Sequence, residues 1–184
     1  MTETVLHLRA KDATNMDRGG TAARAPEDQG MFPSPGHNHQ PCLAAARSRA
    51  EQAFAACQLR MTDLRRQVFE EIAASHQAIG AYEVLERLAN KGTRLAPISV
   101  YRAIDALLKA GIVHRLESRN AYFACHAEHN NGNTSVVMTC EDCGLTAELP
   151  NSKVHQAIVA ATAEAGFMTH AAVVEVSGRC GHCG

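Results

Sequence analysis

Two short motifs near the C-terminus constrain this chain more than any other feature: Cys140-Glu-Asp-Cys143 and Cys180-Gly-His-Cys183. A C-x-x-C turn aims both sulfurs at one point, and two such turns complete a tetrahedron of thiolates around one zinc ion. Four thiolates also enclose the ion, leaving no open position for chemistry, so the expected role is structural. The competing reading, a pair of redox dithiols, lacks the βαβ setting that such motifs occupy. With 36 residues between the pairs, the site would staple the first strand of a C-terminal domain to its last turn. A domain of about 60 residues is close to the size at which a lone core needs a metal or a partner chain. Zinc together with dimerisation meets that need.

Composition then narrows the class. Seven cysteines, four of them at C-x-x-C spacing, point to a reducing compartment. The N-terminus lacks the apolar core of a signal peptide, and no apolar run approaches about 18 residues, so a cytoplasmic protein with no membrane partner is expected. The net charge of −1 hides an asymmetry: residues 44–124 carry 12 Lys/Arg against 8 Asp/Glu, whereas 125–184 carry 2 against 6. A basic half joined to an acidic, metal-binding half suggests a nucleic-acid reader fused to a sensor or assembly module.

Taken in order, residues 1–42 are polar, rich in Gly, Pro and Asp, and without a sustained period, which predicts a disordered extension. Within it, Gly36-His37-Asn-His39-Gln-Pro-Cys42 carries metal-capable side chains, but a flexible patch of this kind binds metal weakly or not at all. An Ala-rich helix is expected over 43–58, with Cys57 as a small buried hydrophobe. Thr62 caps a second helix whose apolar stripe is Leu64, Val68, Phe69 and Ile72. A third starts near Ala81 and stops at Asn90-Lys-Gly92.

The fourth helix opens on Pro97, where a missing N–H costs nothing. Its residues Val100, Ala103, Ile104, Leu107 and Leu108 fall on one face. Two β-like runs, Ile112–Glu117 and Ala121–Cys125, form a hairpin. Beyond Cys125 come strands at Ser135–Cys140 and Leu145–Leu149, a helix over 151–165 with Val154, Ala157, Ile158 and Ala161 on one side, and a strand at Ala171–Val176. The fold class is therefore α+β. An N-terminal winged helix-turn-helix domain over 43–125, including the hinge, precedes a small α+β zinc-stapled dimerisation domain over 126–184.

In a helix-turn-helix the second helix presents its N-terminal turns to base edges in the major groove. Here those turns present Ser99, Tyr101 and Arg102, and Arg is shaped for a bidentate contact to guanine. Arg65, Arg66 and Lys109 suit phosphate contacts. A polar helix face alone is commonly just solvated; the hairpin and the basic balance tilt this one toward double-stranded DNA.

The run from Pro97 through Tyr101-Arg102 to Gly111-Ile-Val-His114, with Cys140/Cys143 and Cys180/Cys183, resembles the ferric uptake regulator family. The stretch from His114 to Cys125-His126 is most similar to that family's zinc uptake regulators, and the resemblance covers roughly residues 43–184. It implies a homodimeric transcriptional repressor that binds palindromic operators when a regulatory metal site is filled. It also implies DNA contacts by Tyr101, Arg102 and Tyr82 on the preceding helix.

A regulatory site must bind reversibly where filling it moves one domain against the other. His114 and Cys125 stand at the two ends of the hairpin and can converge at the hinge. An imidazole and a thiolate favour Zn(II) over the harder Fe(II) and Mn(II). The resemblance adds Glu148 and a loop histidine, but Asn133 occupies that loop position, so His129 is the substitute and His126 the alternative. A further site from His126, Glu128 and His170 is conceivable.

The expected cofactor is thus Zn(2+), structural and regulatory, and no small-molecule substrate is expected. An iron-, manganese- or peroxide-sensing repressor of the same family is one alternative. A zinc-stapled assembly module without DNA binding is another. An enzyme is disfavoured. His126-Ala-Glu128 followed by Cys140-x-x-Cys143 superficially matches a zinc deaminase signature. However, Thr139 replaces its proline, and Cys180 and Cys183 would close the catalytic position.

Overall fold

The computed structural model describes residues 5–6, 32–34, 36–125 and 135–184. Five α-helices and seven strands follow in the order β1 (Val5–Leu6), α1 (Gln40–Ala56), α2 (Asp63–Ala73), β2 (Ile79–Gly80), α3 (Ala81–Asn90), α4 (Pro97–Lys109), β3 (Val113–Leu116), β4 (Ala121–Ala124), β5 (Ser135–Cys140), β6 (Thr146–Pro150), α5 (Ser152–Glu164) and β7 (Val173–Gly178). They make mixed helices and sheets, as the hydrophobic periods require.

The N-terminal part is a helical core closed by a small sheet. Thr62 caps α2 by accepting from the Arg65 amide at 3.3 Å, and Val68, Phe69 and Ile72 point inward. Val84 and Leu88 from α3 and Val100, Ile104 and Leu107 from α4 meet them in one continuous apolar cluster. Gly92 adopts φ +90 at the end of α3 and Gly111 φ +70 after α4, the left-handed stops that a side chain would strain. α3, the turn over 91–96 and α4 form the helix-turn-helix, and β3 and β4 form the wing. The wing is three-stranded, in the order β2-β4-β3. β2 escaped the sequence reading because two residues carry no period. The expected hairpin tip is a short 3₁₀ turn, Glu117–Arg119, ended by Asn120 at φ 48.

Three expectations in this half are corrected. The first helix begins at Gln40, so the expected disordered extension to residue 42 gives up its last three residues; Pro41 supplies the first turn. Cys57 is exposed, because it caps the C-terminus of α1 just before Gln58 at φ 54. Val5–Leu6, also expected to be disordered, pairs in parallel with Val173 and Val174.

The C-terminal sheet has the order β1-β7-β5-β6. β5 and β6 are antiparallel around the first C-x-x-C turn, while β7 lies parallel to β5 with Gly178 opposite Cys140. The last strand therefore starts two residues later than Ala171, since its limits follow its partner's. The expected inward face of α5 is a correction of another kind: no residue of that helix is buried. Val159, Phe167, Met168 and Val176 are all exposed apolar residues nearby. A small cluster of Leu116, Phe123 and Val137, with Ala78 against it, joins the wing to β5. Among the described residues, no helix is long and apolar enough to cross a membrane.

Candidate metal centres and nucleic-acid interface

The parallel register of β5 and β7 carries Cys180 back beside Cys140, and the ligand atoms of Cys140, Cys143, Cys180 and Cys183 all lie within 4.8 Å of one another. The Cys143 and Cys180 sulfurs are 3.8 Å apart. Tetrahedral zinc with bonds of about 2.3 Å requires sulfur separations of about 3.8 Å, so the donors fit the ion. Backbone N–H groups from the two turns, the Cys180 amide at 3.4 Å among them, point at the Cys140 sulfur. They lower its pKa to about 6. The neighbouring thiols push Cys183 up to about 12. Four sulfurs this close cannot all ionise without a cation between them.

A second constellation spans wing and C-terminal sheet. His114 stands in β3, Cys125 just beyond β4 and Glu148 in β6, with ligand atoms within 4.8 Å of one another. Glu148 Oε2 is 3.6 Å from the Cys125 sulfur and 3.8 Å from His114 Nε2. Cys125 and Glu148 are buried. A carboxylate or a thiolate at such a depth is costly unless a cation or a proton compensates its charge. The donors are one nitrogen, one sulfur and one oxygen, a set that suits zinc. His129, the expected further ligand, and His126, its alternative, lie outside the described residues, as do Glu128 and Asn133. His170 is exposed.

The residues expected to meet DNA are Tyr82 at the start of α3 and Ser99, Tyr101 and Arg102 in the first turns of α4. Tyr82 is 71% exposed, and its ring meets that of Tyr101 edge-on, with centroids 6.4 Å apart. Arg102 is exposed and Ser99 half-buried on the same end of α4. Exposed Ile98 joins them; an apolar residue on a polar face was the overlooked signal, and it could touch a thymine methyl. Two of the expected phosphate contacts are already engaged. Arg66 pairs with Glu51 at 2.7 Å and Arg65 donates to the Arg60 carbonyl at 2.5 Å.

Glu175 was also not singled out by sequence, because a lone glutamate in a strand is usually solvated. Its carboxylate accepts from the amides of Glu117 and Ser118 at 2.6 and 3.1 Å, fastening the wing tip to β7. Anionic capping satisfies the orphan amides at the start of the 3₁₀ turn.

A winged helix-turn-helix joined to a sheet that gathers sulfur, imidazole and carboxylate donors defines a class, that of metal-binding winged-helix proteins. More narrowly, residues 56–177 match the ferric uptake regulator family, and this chain belongs to that family. It is 33% identical over 136 residues to the zinc uptake regulation protein of Escherichia coli (strain K12), covering 74% of this chain and 80% of that protein. Its fold is similar to a zinc uptake regulator solved in complex with zinc and DNA: TM-score 0.67 and 33% identity over 78% of this chain and 93% of that one. The holo form of XcZur gives TM-score 0.67 and 32% identity over 76% and 96%.

Proposed function

We propose that this chain is a zinc-responsive transcriptional repressor of zinc-uptake genes, binding palindromic operators as a zinc-loaded homodimer. The observation that carries the reading is the meeting of His114 and Cys125 from the wing with Glu148 from the C-terminal sheet. Bound zinc would supply a cross-link there. The protein residues do the rest. His114 and Cys125 fix the base of the wing, Glu148 holds that base to β6, and Glu175 holds the tip to β7. Two recognition helices held in this way keep the spacing of successive major grooves, whereas a loosened wing lets them wander. His129, or His126 in its place, completes the ligand set.

In this reading residues 43–125 are the DNA-binding unit and 126–184 the pairing unit. The buried members of the larger apolar cluster run from Ala46 to Ala124, which supports that division. Tyr82, Ser99, Tyr101 and Arg102 contact the operator, and Cys140, Cys143, Cys180 and Cys183 hold structural zinc. The unburied α5 with exposed Val159, Phe167 and Met168 supports a second copy as partner. In this reading the protein works in the cytoplasm as a regulator and not as an enzyme, which its membership of a regulator family supports.

The test is binding to operator-sized DNA with free zinc clamped at graded levels and Fe(II) and Mn(II) in parallel. Binding that switches on with zinc supports the reading. Binding driven by Fe(II) or Mn(II) would move the protein to a sibling sensor class. Absence of DNA binding under every metal would reduce it to a zinc-stapled module.

A further inference from the structure

A third group of donors belongs to neither site. His37, His39, Cys42 and His76 place ligand atoms within 4.8 Å of one another, although Cys42 and His76 are 34 positions apart in the sequence. The sequence alone suggested a flexible patch that binds metal weakly or not at all. Instead, the segment before α1 folds back over the end of α2, and all four residues are half-buried.

The hydrogen bonds fix which ring atoms are available. His37 donates through Nδ1 to the Ser34 carbonyl at 3.1 Å, and His39 donates through Nε2 to the Ala73 carbonyl at 2.7 Å. A neutral imidazole that donates through one nitrogen presents a lone pair on the other. The lone pairs of His37 Nε2 and His39 Nδ1 are thus turned toward His76 Nε2, at 3.1 and 3.2 Å. One proton on His76 Nε2 can serve only one of them well. A cation serves all three. Zinc with Zn–N bonds of about 2.0–2.1 Å sets its nitrogen donors about 3.3 Å apart, close to these separations. Ring N–H groups held by backbone carbonyls are also the usual support of metal-bound histidine.

We propose that His37, His39, Cys42 and His76 form a third zinc site, which clamps the segment preceding α1 onto the loop between α2 and β2. Three imidazoles and one thiolate are an N/S set that selects zinc over harder divalent ions and leaves no position open. The clamp reaches the structural-zinc turns. The His76 carbonyl accepts from the Thr146 amide at 2.8 Å, and Gln77 donates to the Cys143 carbonyl at 2.7 Å. At the other end of the segment, His182 Nε2 donates to the Phe32 carbonyl at 3.2 Å. Filling the third site therefore braces the helical half against both C-x-x-C turns without using His114, Cys125 or Glu148. The inference does not rest on the sensing role of those residues.

The experiment compares the full-length, untagged protein with His37→Ala/His39→Ala and with Cys42→Ser. Each is saturated with zinc, freed of loose metal by gel filtration and analysed for metal per chain. Each variant should hold one zinc ion fewer than the parent while keeping its helical circular dichroism; equal metal content would overturn the site. Under Co(II) substitution, Cys42→Ser should lose part of the sulfur-to-metal charge-transfer band, and an unchanged band would remove Cys42 from the ligand set. Faster hydrogen exchange across residues 36–42 and 74–78 in the His variant would support the clamp; unchanged exchange would refute it. Cys125→Ser should subtract a separate ion, so failure at either site is distinguishable from failure at the other.

Discussion

At the residue scale, a few side chains are replaceable in volume but not in chemistry. Cys125 is buried beside Glu148, and serine in its place would keep the packing while losing the thiolate. Cys125→Ser is expected to leave a folded dimer that no longer binds the operator in response to zinc; gel-shift titrations with clamped zinc check this, and normal repression would sink the sensing role. Arg102, exposed on α4, should read a base. Arg102→Ala is expected to weaken operator binding by about 1–3 kcal/mol while barely changing binding to random DNA. Equal losses on both would demote it to a phosphate contact.

At the element scale, the N-terminal helices need both their stripes and their ends. Thr62 gives the first turn of α2 an acceptor that the helix lacks, and α2 supplies Val68, Phe69 and Ile72 to the core. Thr62→Ala should therefore lower stability by about 1 kcal/mol, measured by urea unfolding of the zinc-loaded protein. The stripe Val100, Ala103, Ile104, Leu107 was legible because a 3.6-residue period marks a helix packed on one side. α5 misled for the same reason. Its Val154-Ala157-Ile158-Ala161 period is real, yet a periodic face says that burial is required, not which surface provides it. Within one chain Val154 and Ile158 are only half-buried and no residue of that helix is fully so.

At the scale of the whole molecule, zinc held by Cys140, Cys143, Cys180 and Cys183 would, in the proposed reading, tie β5 to the turn after β7 and keep the pairing surface in shape. Cys140→Ser, or stripping zinc with a strong chelator, is expected to convert the dimer to monomer, as sedimentation velocity would show. A dimer that persists after complete metal removal would mean that apolar contact alone suffices. The wing and the loop between α2 and β2 touch the C-terminal sheet, and the segment before α1 touches the second C-x-x-C turn. Changes in donor occupancy at any one of these contacts can therefore alter the placement of the helix-turn-helix.

The sequence by itself determined the elements whose signals are local: the capped helices, the wing, the two C-x-x-C turns, and the basic and acidic halves. The hairpin also brought His114 and Cys125 to one hinge, and the family resemblance added Glu148, which spacing alone could not join to them. Tertiary structure decided what depends on distant chain meeting distant chain. His76 had no signal of its own until the segment carrying His37, His39 and Cys42 folded over it, and Glu175 became a cap only when the wing tip reached β7. Periodicity records which side of an element must leave water; it carries no record of which remote side chain will be waiting there.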